Sequence, residues 1–364
     1  MPVDTVEVPV ARPYLVLVGA GLDLGAAVSE VLDPGLCAII TDSTVGPLYA
    51  ARVRHGLQAA GWRVAGEIQI PSGEWSKSME VYADAVGRLA RMGLTRDGTI
   101  FALGGGVVGD LGGFVAGTYM RGVDLVMLPT SLLAMVDSAV GGKVGVDLPE
   151  GKNLVGAFVR PRLVAADLQW LGTLPGREIS NGLAETIKMG LLSGGEYFGD
   201  LGLIPAARLG DLDALQRLVL HSIRFKARVV AEDEMEGGLR AILNYGHTIG
   251  HALEAAADYN LPHGSAVAAG MVAAATLARY RFDTDLVGVH ENLLDAAGLP
   301  RRAPDVDVDR ALAAMGKDKK RTASVASDGR AAHRFVLLED IGEPVRNVPV
   351  GEEEAREAIG AVVG

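Results

Sequence analysis

The chain is short of several things, and each shortage excludes something. One cysteine, Cys37, stands among 364 residues. An internal disulfide is therefore impossible, and the composition suits a reducing compartment. No apolar run reaches the roughly 20 residues that a bilayer-spanning helix needs, so no membrane segment is expected. The first residues, "MPVDTVEVPVARPYLVLVGAG", hold no basic stretch followed by an apolar one. No signal peptide is expected, and the cytoplasm is the expected location. Basic residues are outnumbered, 34 Lys and Arg against 45 Asp and Glu, for a net charge of −11. A nucleic-acid surface would carry a basic footprint, which this balance argues against. A small anionic substrate stays open, because a local basic cluster can dominate its own surroundings. Internal repeats are absent. Histidines number only seven, so their placement is informative.

What is present begins with apolar residues, 49% of the chain, enough for a sizeable core in two domains or one large one. Up to residue 174, short β-branched runs alternate with amphipathic helical patterns. "YLVLVG", "CAIITD", "RVAGEIQIP", "TIFALGGG" and "VDLVMLPT" read as strands. "VGPLYAARVRHGLQAAGW" and "SMEVYADAVGRLARMG" read as helices between them. This alternation predicts an α/β, Rossmann-like domain over residues 1–174, with a largely parallel sheet covered on both faces. Ligands of such sheets sit at the carboxyl ends of the strands. From residue 175 to 364 helical patterns dominate: "EISNGLAETIKMGLLSG", "LQRLVLHSIRFKARVVAED", "LRAILNYGHTIGHALEAAAD" and "GSAVAAGMVAAATLARY". A mostly α-helical second domain is expected, divided from the first by the Pro/Gly punctuation of "LGTLPGRE". Near its end, "RFVLLEDIGEPVRNVPV" reads as a hairpin, and "ASVASDGRAAH" before it as a mobile loop.

"FALGGGVVGDLGGFVAGTYMRG" carries a strand into a helix through three glycines. Such a turn lets backbone N–H groups approach a phosphate closely. It departs from GxGxxG spacing, and tight helix–sheet packing explains it equally well. Asp42, at a strand end, has the position to hold a ribose diol, and Glu74 and Lys77 the position to hold adenosine or phosphate.

His247 and His251 lie four apart in one helical pattern and so share a face. A metal centre and a hydrogen-bonded pair of core histidines are both open readings. A catalytic zinc takes three protein ligands, and His263 or Glu185 is available as the third. Glu185 sits in an apolar helix, where an unpartnered carboxylate is costly.

Arg121, Lys143, Lys152, Lys188, Lys226, Arg240, Lys319 and Lys320 lie in or beside apolar or glycine-rich segments rather than on polar faces. Together they point to a substrate with several negative groups, such as a phosphate plus a carboxylate.

These features coincide with longer motifs: "PSGEWSKS", "GGGVVGDLGGFVAGTYMRGV", "LPTSLLAMVDSAVGGKVGVDLPEGKNLVGAF", "TLPGREISNGLAETIK", "EDEMEGGLRAILNYGHTIGHALE", "HGSAVAAGM" and "KDKK". In this order the chain resembles the 3-dehydroquinate synthases of the sugar phosphate cyclase family over nearly its whole length. The resemblance implies NAD and Zn²⁺ (or Co²⁺) as cofactors, a small anionic sugar phosphate as substrate, and a homodimer. It implies conversion of 3-deoxy-D-arabino-heptulosonate 7-phosphate to 3-dehydroquinate and phosphate. The route is transient NAD-dependent oxidation, phosphate elimination, re-reduction and aldol closure, a step of the shikimate pathway.

By the same resemblance the metal ligands fall on Glu185, His247 and His263, which makes His251 a substrate-side group instead. Asp137, Lys143, Asn153, Lys188, Lys226, Arg240, Asn244, His251 and one of Lys319 and Lys320 match substrate-contacting positions. Arg121 matches an arginine supplied across the dimer. Asp42, Glu74, Lys77, Gly105, Gly106, Val107, Asp110, Thr130, Lys152 and Thr173 match NAD-contacting positions. Three departures stand out: Ser265 where glutamate is frequent, Asp147 in place of an asparagine, and Ser131 in place of a second threonine. Deoxy-scyllo-inosose synthases tend to an acidic residue at the Asn244 position. Sedoheptulose-phosphate cyclases lose the His251 counterpart, and aminodehydroquinate synthases diverge around "AETIK". The chain follows none of these. A metal-dependent polyol dehydrogenase shares the two-domain plan but has no use for so many cationic residues.

Overall fold

Strands covered on both faces are written as unbroken apolar runs, and "TIFALG" is one: all six of its residues are buried. The computed structural model describes residues 2–319 and 333–364, with the side chains of 317–319 left out. Nine strands precede residue 170: β1 (Asp4–Val8), β2 (Tyr14–Gly19), β3 (Leu36–Asp42), β4 (Arg63–Ile70), β5 (Thr99–Gly104), β6 (Asp124–Pro129), β7 (Lys143–Leu148), β8 (Gly151–Phe158) and β9 (Leu163–Asp167). Seven form one sheet in the order β1-β2-β9-β6-β5-β3-β4. Its pairs are parallel except β1 with β2. β7 and β8 form a separate antiparallel hairpin.

The five runs read as strands are β2 to β6. The pattern missed β1, the β7–β8 hairpin and β9. β9 is inserted between β2 and β6, and no local signal announces an insertion of that kind. From β3 the chain moves outward to β4, then returns to place β5 on the other side of β3 and continues to β6. The sheet therefore changes winding direction between β3 and β5, and such a switch point opens a crevice at the strand ends. Thr41 is paired with Leu103, so Asp42 and Gly104 end their strands side by side. Beneath them Ile39, Phe101, Leu103 and Val126 are fully buried, and Trp62 meets Phe101 edge to face at 5.4 Å.

Two compact units emerge: Met1–Pro175 with Lys226–Met235, and Gly176–Phe225 with Glu236–Gly364. The second is built around the helix His263–Phe282, buried on nearly every side, as expected of a central helix rich in alanine. It packs on the helices Gly176–Ser193, His247–Ala256, Val287–Ala297 and Glu352–Gly360 and on β10 (His333–Asp340). β10 and β11 (Glu343–Val350) form the expected terminal hairpin. Residues 323–332 of the expected loop lie outside the described residues. No described helix is long and apolar enough to cross a membrane.

One helical expectation needs correction. "LRAILNYGHTIGHALEAAAD" is not one helix. A 3₁₀ turn over Leu239–Asn244 ends at Tyr245, Gly246 takes a left-handed φ of 77°, and a new helix runs His247–Ala256. A side chain at Gly246 would meet Met271, and one at Gly270 would lie 2.0 Å from the Gly246 carbonyl oxygen. The break is therefore where the helix His263–Phe282 comes closest, and it makes His247 the first residue of a helix.

Candidate functional site

In the first unit, β5 delivers Gly105, which has no side chain to cap with, as the N-cap of the helix Gly106–Thr118. The first N–H groups of this helix and its dipole suit a phosphate. The packing explanation of the glycines holds further along: a Cβ at Gly113 or Gly117 would come within 2.4 Å of Val144 or Val159. At Gly105 and Gly106 the nearest atoms to such a Cβ are hydroxyl oxygens, Ser131 Oγ at 3.4 Å and Ser138 Oγ at 3.3 Å. The glycine pair thus leaves a backbone cradle that larger side chains would fill. Val107 follows in the first turn, and Thr130 is buried with its N–H donating to the Gly104 carbonyl.

Charged residues cluster in the same unit. Lys77 Nζ lies 2.6 Å from Asp110 Oδ2 and 3.9 Å from Glu74 Oε1, and Lys152 Nζ lies 3.8 Å from that Glu74 oxygen. Burial lifts the Asp110 carboxyl above its ordinary range despite Lys77. Asp42 Oδ1 accepts from the N–H groups of Thr44 and Val45, which fixes its carboxylate at the end of β3. Thr173 is placed with Tyr49, whose hydroxyl is 2.5 Å away.

Lys226 Nζ donates to Asp137 Oδ1 at 2.6 Å and to the Asp137 carbonyl at 2.7 Å. Lys143 and Asn153, on the β7–β8 hairpin, are exposed. Asn153 has a left-handed φ of 55°, and its N–H donates to Asp147 Oδ1 at 2.6 Å. The Asp147 N–H in turn donates to the Lys77 carbonyl. Asp147 is thus a brace for Asn153. Arg121 is exposed and left-handed, φ 68°, after Met120 at φ 51°.

The second unit holds the metal-type donors. Glu185, His247 and His263 each offer a ligand atom within 4.8 Å of the others. Glu185 Oε1 is 3.4 Å from His247 Nε2 and 3.6 Å from His263 Nε2. Both Glu185 oxygens are buried without a properly formed hydrogen bond, and Lys188 pairs with Oε2 from one turn further along the helix. Burial alone would raise this carboxyl, but Lys188 and the imidazoles hold it well below the usual range. Burial, then Lys188, pushes His247 down to about 3, leaving it neutral and ready to ligate. For His263, burial acts downward, but Glu185 and Glu254 outweigh it and raise it to about 10. A buried anion flanked by two imidazoles is a donor set that fits a divalent cation, including Zn²⁺ and Co²⁺.

His251 is exposed and meets the His247 ring edge-on, centroids 5.1 Å apart. Arg240 is 2% exposed, and Asn244 is exposed four residues later. Lys319 ends the helix Val308–Lys319 with its side chain undescribed, and Lys320 lies outside the described residues. Sequence reading passed over Glu254. It is a carboxylate within "HALEAAA", the same signal that marked Glu185, and its Oε1 lies 3.5 Å from His263 Nδ1.

Comparison with known proteins bears on these clusters. The family model described as 3-dehydroquinate synthase N-terminal matches residues 67–181, and that described as 3-dehydroquinate synthase C-terminal matches 182–321. A 3-dehydroquinate synthase of Acidithiobacillus ferrooxidans is 46% identical over 342 residues, covering 92% of this chain and 91% of that protein. The chain belongs to the 3-dehydroquinate synthase family. Both expected clusters except Asp42 fall inside the regions matched by this family. Among solved structures, a 2-deoxy-scyllo-inosose synthase complexed with carbaglucose-6-phosphate, NAD⁺ and Co²⁺ is similar, with TM-score 0.88, 27% identity, and 98% and 99% of the two chains covered. A 2-epi-5-epi-valiolone synthase from Streptomyces hygroscopicus subsp. jinggangensis, with NAD⁺ and Zn²⁺ bound, has TM-score 0.85 and 26% identity, with 96% of each chain covered. The 3-dehydroquinate synthase family is thus supported at a much higher identity than either of these cyclases.

Proposed function

We propose that this enzyme converts 3-deoxy-D-arabino-heptulosonate 7-phosphate to 3-dehydroquinate and phosphate. The observation that carries the reading is the buried Glu185 set between His247 and His263 in a chain 46% identical to a 3-dehydroquinate synthase. Glu185, His247 and His263 would hold the divalent cation. Gly105, Gly106 and Val107 would hold the NAD pyrophosphate, with Asp42, Glu74, Lys77, Asp110, Thr130, Lys152 and Thr173 around the rest of the nucleotide. When bound, the cation supplies Lewis acidity toward substrate hydroxyls and NAD supplies a reversible hydride acceptor.

The remaining roles belong to the chain. Arg240, with Lys319 or Lys320, clamps the substrate carboxylate through charge-assisted hydrogen bonds. Lys143, Asn153, Asn244 and His251 bind the phosphate, joined by Arg121 from the partner in a homodimer. Asp137, Lys188 and Lys226 orient ring hydroxyls. The Asp137–Lys226 pair can donate and accept a proton at one hydroxyl without net charge change. Asn244 is neutral where inosose synthases tend to be acidic, which sets the chain apart from them, and Arg240 answers a substrate carboxylate.

The test supplies the heptulosonate phosphate with zinc and substoichiometric NAD⁺. Phosphate release and formation of 3-dehydroquinate are expected. Turnover of glucose 6-phosphate would indicate an inosose synthase instead, and stoichiometric NADH would indicate a polyol dehydrogenase.

A further inference from the structure

His263 stands between two carboxylates. Its Nε2 lies 3.6 Å from Glu185 Oε1, and its Nδ1 lies 3.5 Å from Glu254 Oε1. Glu185 has a role as a ligand; Glu254 has none assigned. Yet Glu254 is 4% exposed and flanked by Ala252, Leu253, Ala255 and Ala256. Such burial of a carboxylate is costly unless a partner compensates it.

An imidazole that binds a metal through Nε2 must carry its proton on Nδ1. A partner at Nδ1 that can only accept a hydrogen bond enforces that tautomer. Both histidines have one. His247 Nδ1 faces the Tyr245 carbonyl oxygen at 3.1 Å, and His263 Nδ1 faces the Glu254 carboxylate. The partners differ in charge: one is a neutral amide, the other an anion.

We propose that Glu254 is a positioning residue for the metal centre. It holds His263 as the Nδ1–H tautomer, turns Nε2 toward the ion shared with Glu185 and His247, and makes His263 the more basic imidazole ligand. This inference rests on the metal reading above.

The test compares wild type, Glu254→Gln and Glu254→Ala, each loaded with Zn²⁺ or Co²⁺. Metal affinity is read by chelator competition, and the cobalt d–d spectrum reports ligand basicity. Glu254→Gln keeps the shape and an accepting oxygen but loses the charge. Its affinity is expected to fall about 10–100-fold with a shifted cobalt spectrum, and Glu254→Ala is expected to fall further. Wild-type affinity and spectrum in both variants would overturn the proposal. Two cobalt ions per chain, the second lost in Glu254→Gln, would also overturn it, because Glu254 would then be a ligand together with His251 and His263, whose donors also lie within 4.8 Å. If neither variant folds, ¹⁵N-histidine NMR of the zinc-loaded wild type decides. His263 protonated at Nδ1 supports the proposal, and protonation at Nε2 defeats it. A wild type that binds no metal would remove the metal reading itself, a result distinct from variants that bind as well as wild type.

Discussion

Lys188 lies one turn after Glu185 on the same helix, and its ammonium is paired with the Glu185 carboxylate where neither side chain reaches water. Removing one partner of a buried pair strands the other charge, at a typical cost of about 3–5 kcal/mol. Lys188→Ala is expected to destabilise the metal-free protein by about that amount, and zinc is expected to recover part of it, because a cation restores the missing charge. Urea unfolding with and without zinc measures both. Equal stability of variant and wild type without metal would contradict the arrangement.

Metal removal has its own signature. A chelator is expected to abolish turnover and lower the melting temperature, and either Zn²⁺ or Co²⁺ is expected to restore both. At 100 times the dissociation constant a bound ion stabilises the fold by about 2.7 kcal/mol. A melting temperature indifferent to chelator and metal would count against the Glu185–His247–His263 centre.

Lys226 is held by two hydrogen bonds to Asp137, one to its side chain and one to its carbonyl. Lys226→Ala is expected to reduce kcat by at least about 100-fold, the low end for a positioned proton-handling group. Circular dichroism should stay that of wild type. A variant with wild-type kcat would refute the role.

His290 supplies a pH dependence of its own. It is fully buried, Nδ1 donates to the Leu286 carbonyl, and Nε2 accepts from the Tyr245 hydroxyl at 2.8 Å. Burial pushes its pKa from 6.5 down to about 4. The unfolded chain therefore takes up this proton first as pH falls. The contribution is complete above pH 6.5 and is lost progressively toward pH 4, reaching about 3 kcal/mol. His290→Phe is expected to flatten that part of the stability–pH curve, as read by denaturant titration at several pH values. An unchanged slope would show that His290 is not held neutral.

Arg121 and Lys226 allow a test of subunit sharing. If Arg121 serves the partner's substrate, Arg121→Ala and Lys226→Ala are each expected to be nearly inactive alone, and mixed dimers are expected to regain a substantial share of activity. An assay after co-refolding measures this. No recovery on mixing would argue against a shared site.

Much of this was legible before any coordinates. β2, β3, β5 and β6 appear as apolar runs because a sheet covered on both faces leaves no polar alternation to obscure them, whereas β4, at the sheet edge, is half-buried and carries Arg63, Glu67 and Gln69. β9 is buried throughout but was not recognised, since membership in the sheet depends on β2 and β6, far away in the chain. The glycines of the Gly106–Thr118 helix mix two purposes that sequence cannot separate. Gly113 and Gly117 meet Val144 and Val159, whereas Gly105 and Gly106 leave the helix N-terminus open.

Chemistry written into residue types needed no coordinates: a carboxylate and histidines in apolar helices, a glycine turn after a strand, and, of the lysines, Lys188 and Lys226, which the structure buries. Periodicity even selected the helix face shared by His247 and His251. It could not say what stood opposite that face. The resemblance to a family implied the set Glu185, His247 and His263, and its physical basis is tertiary: the close approach of two chain segments at Gly246 and Gly270, the arrival of Glu185 from a third helix, and Glu254 behind His263. Helical spacing is a local property of a few consecutive residues, while a ligand set is a distance between residues separated along the chain, and packing alone sets that distance.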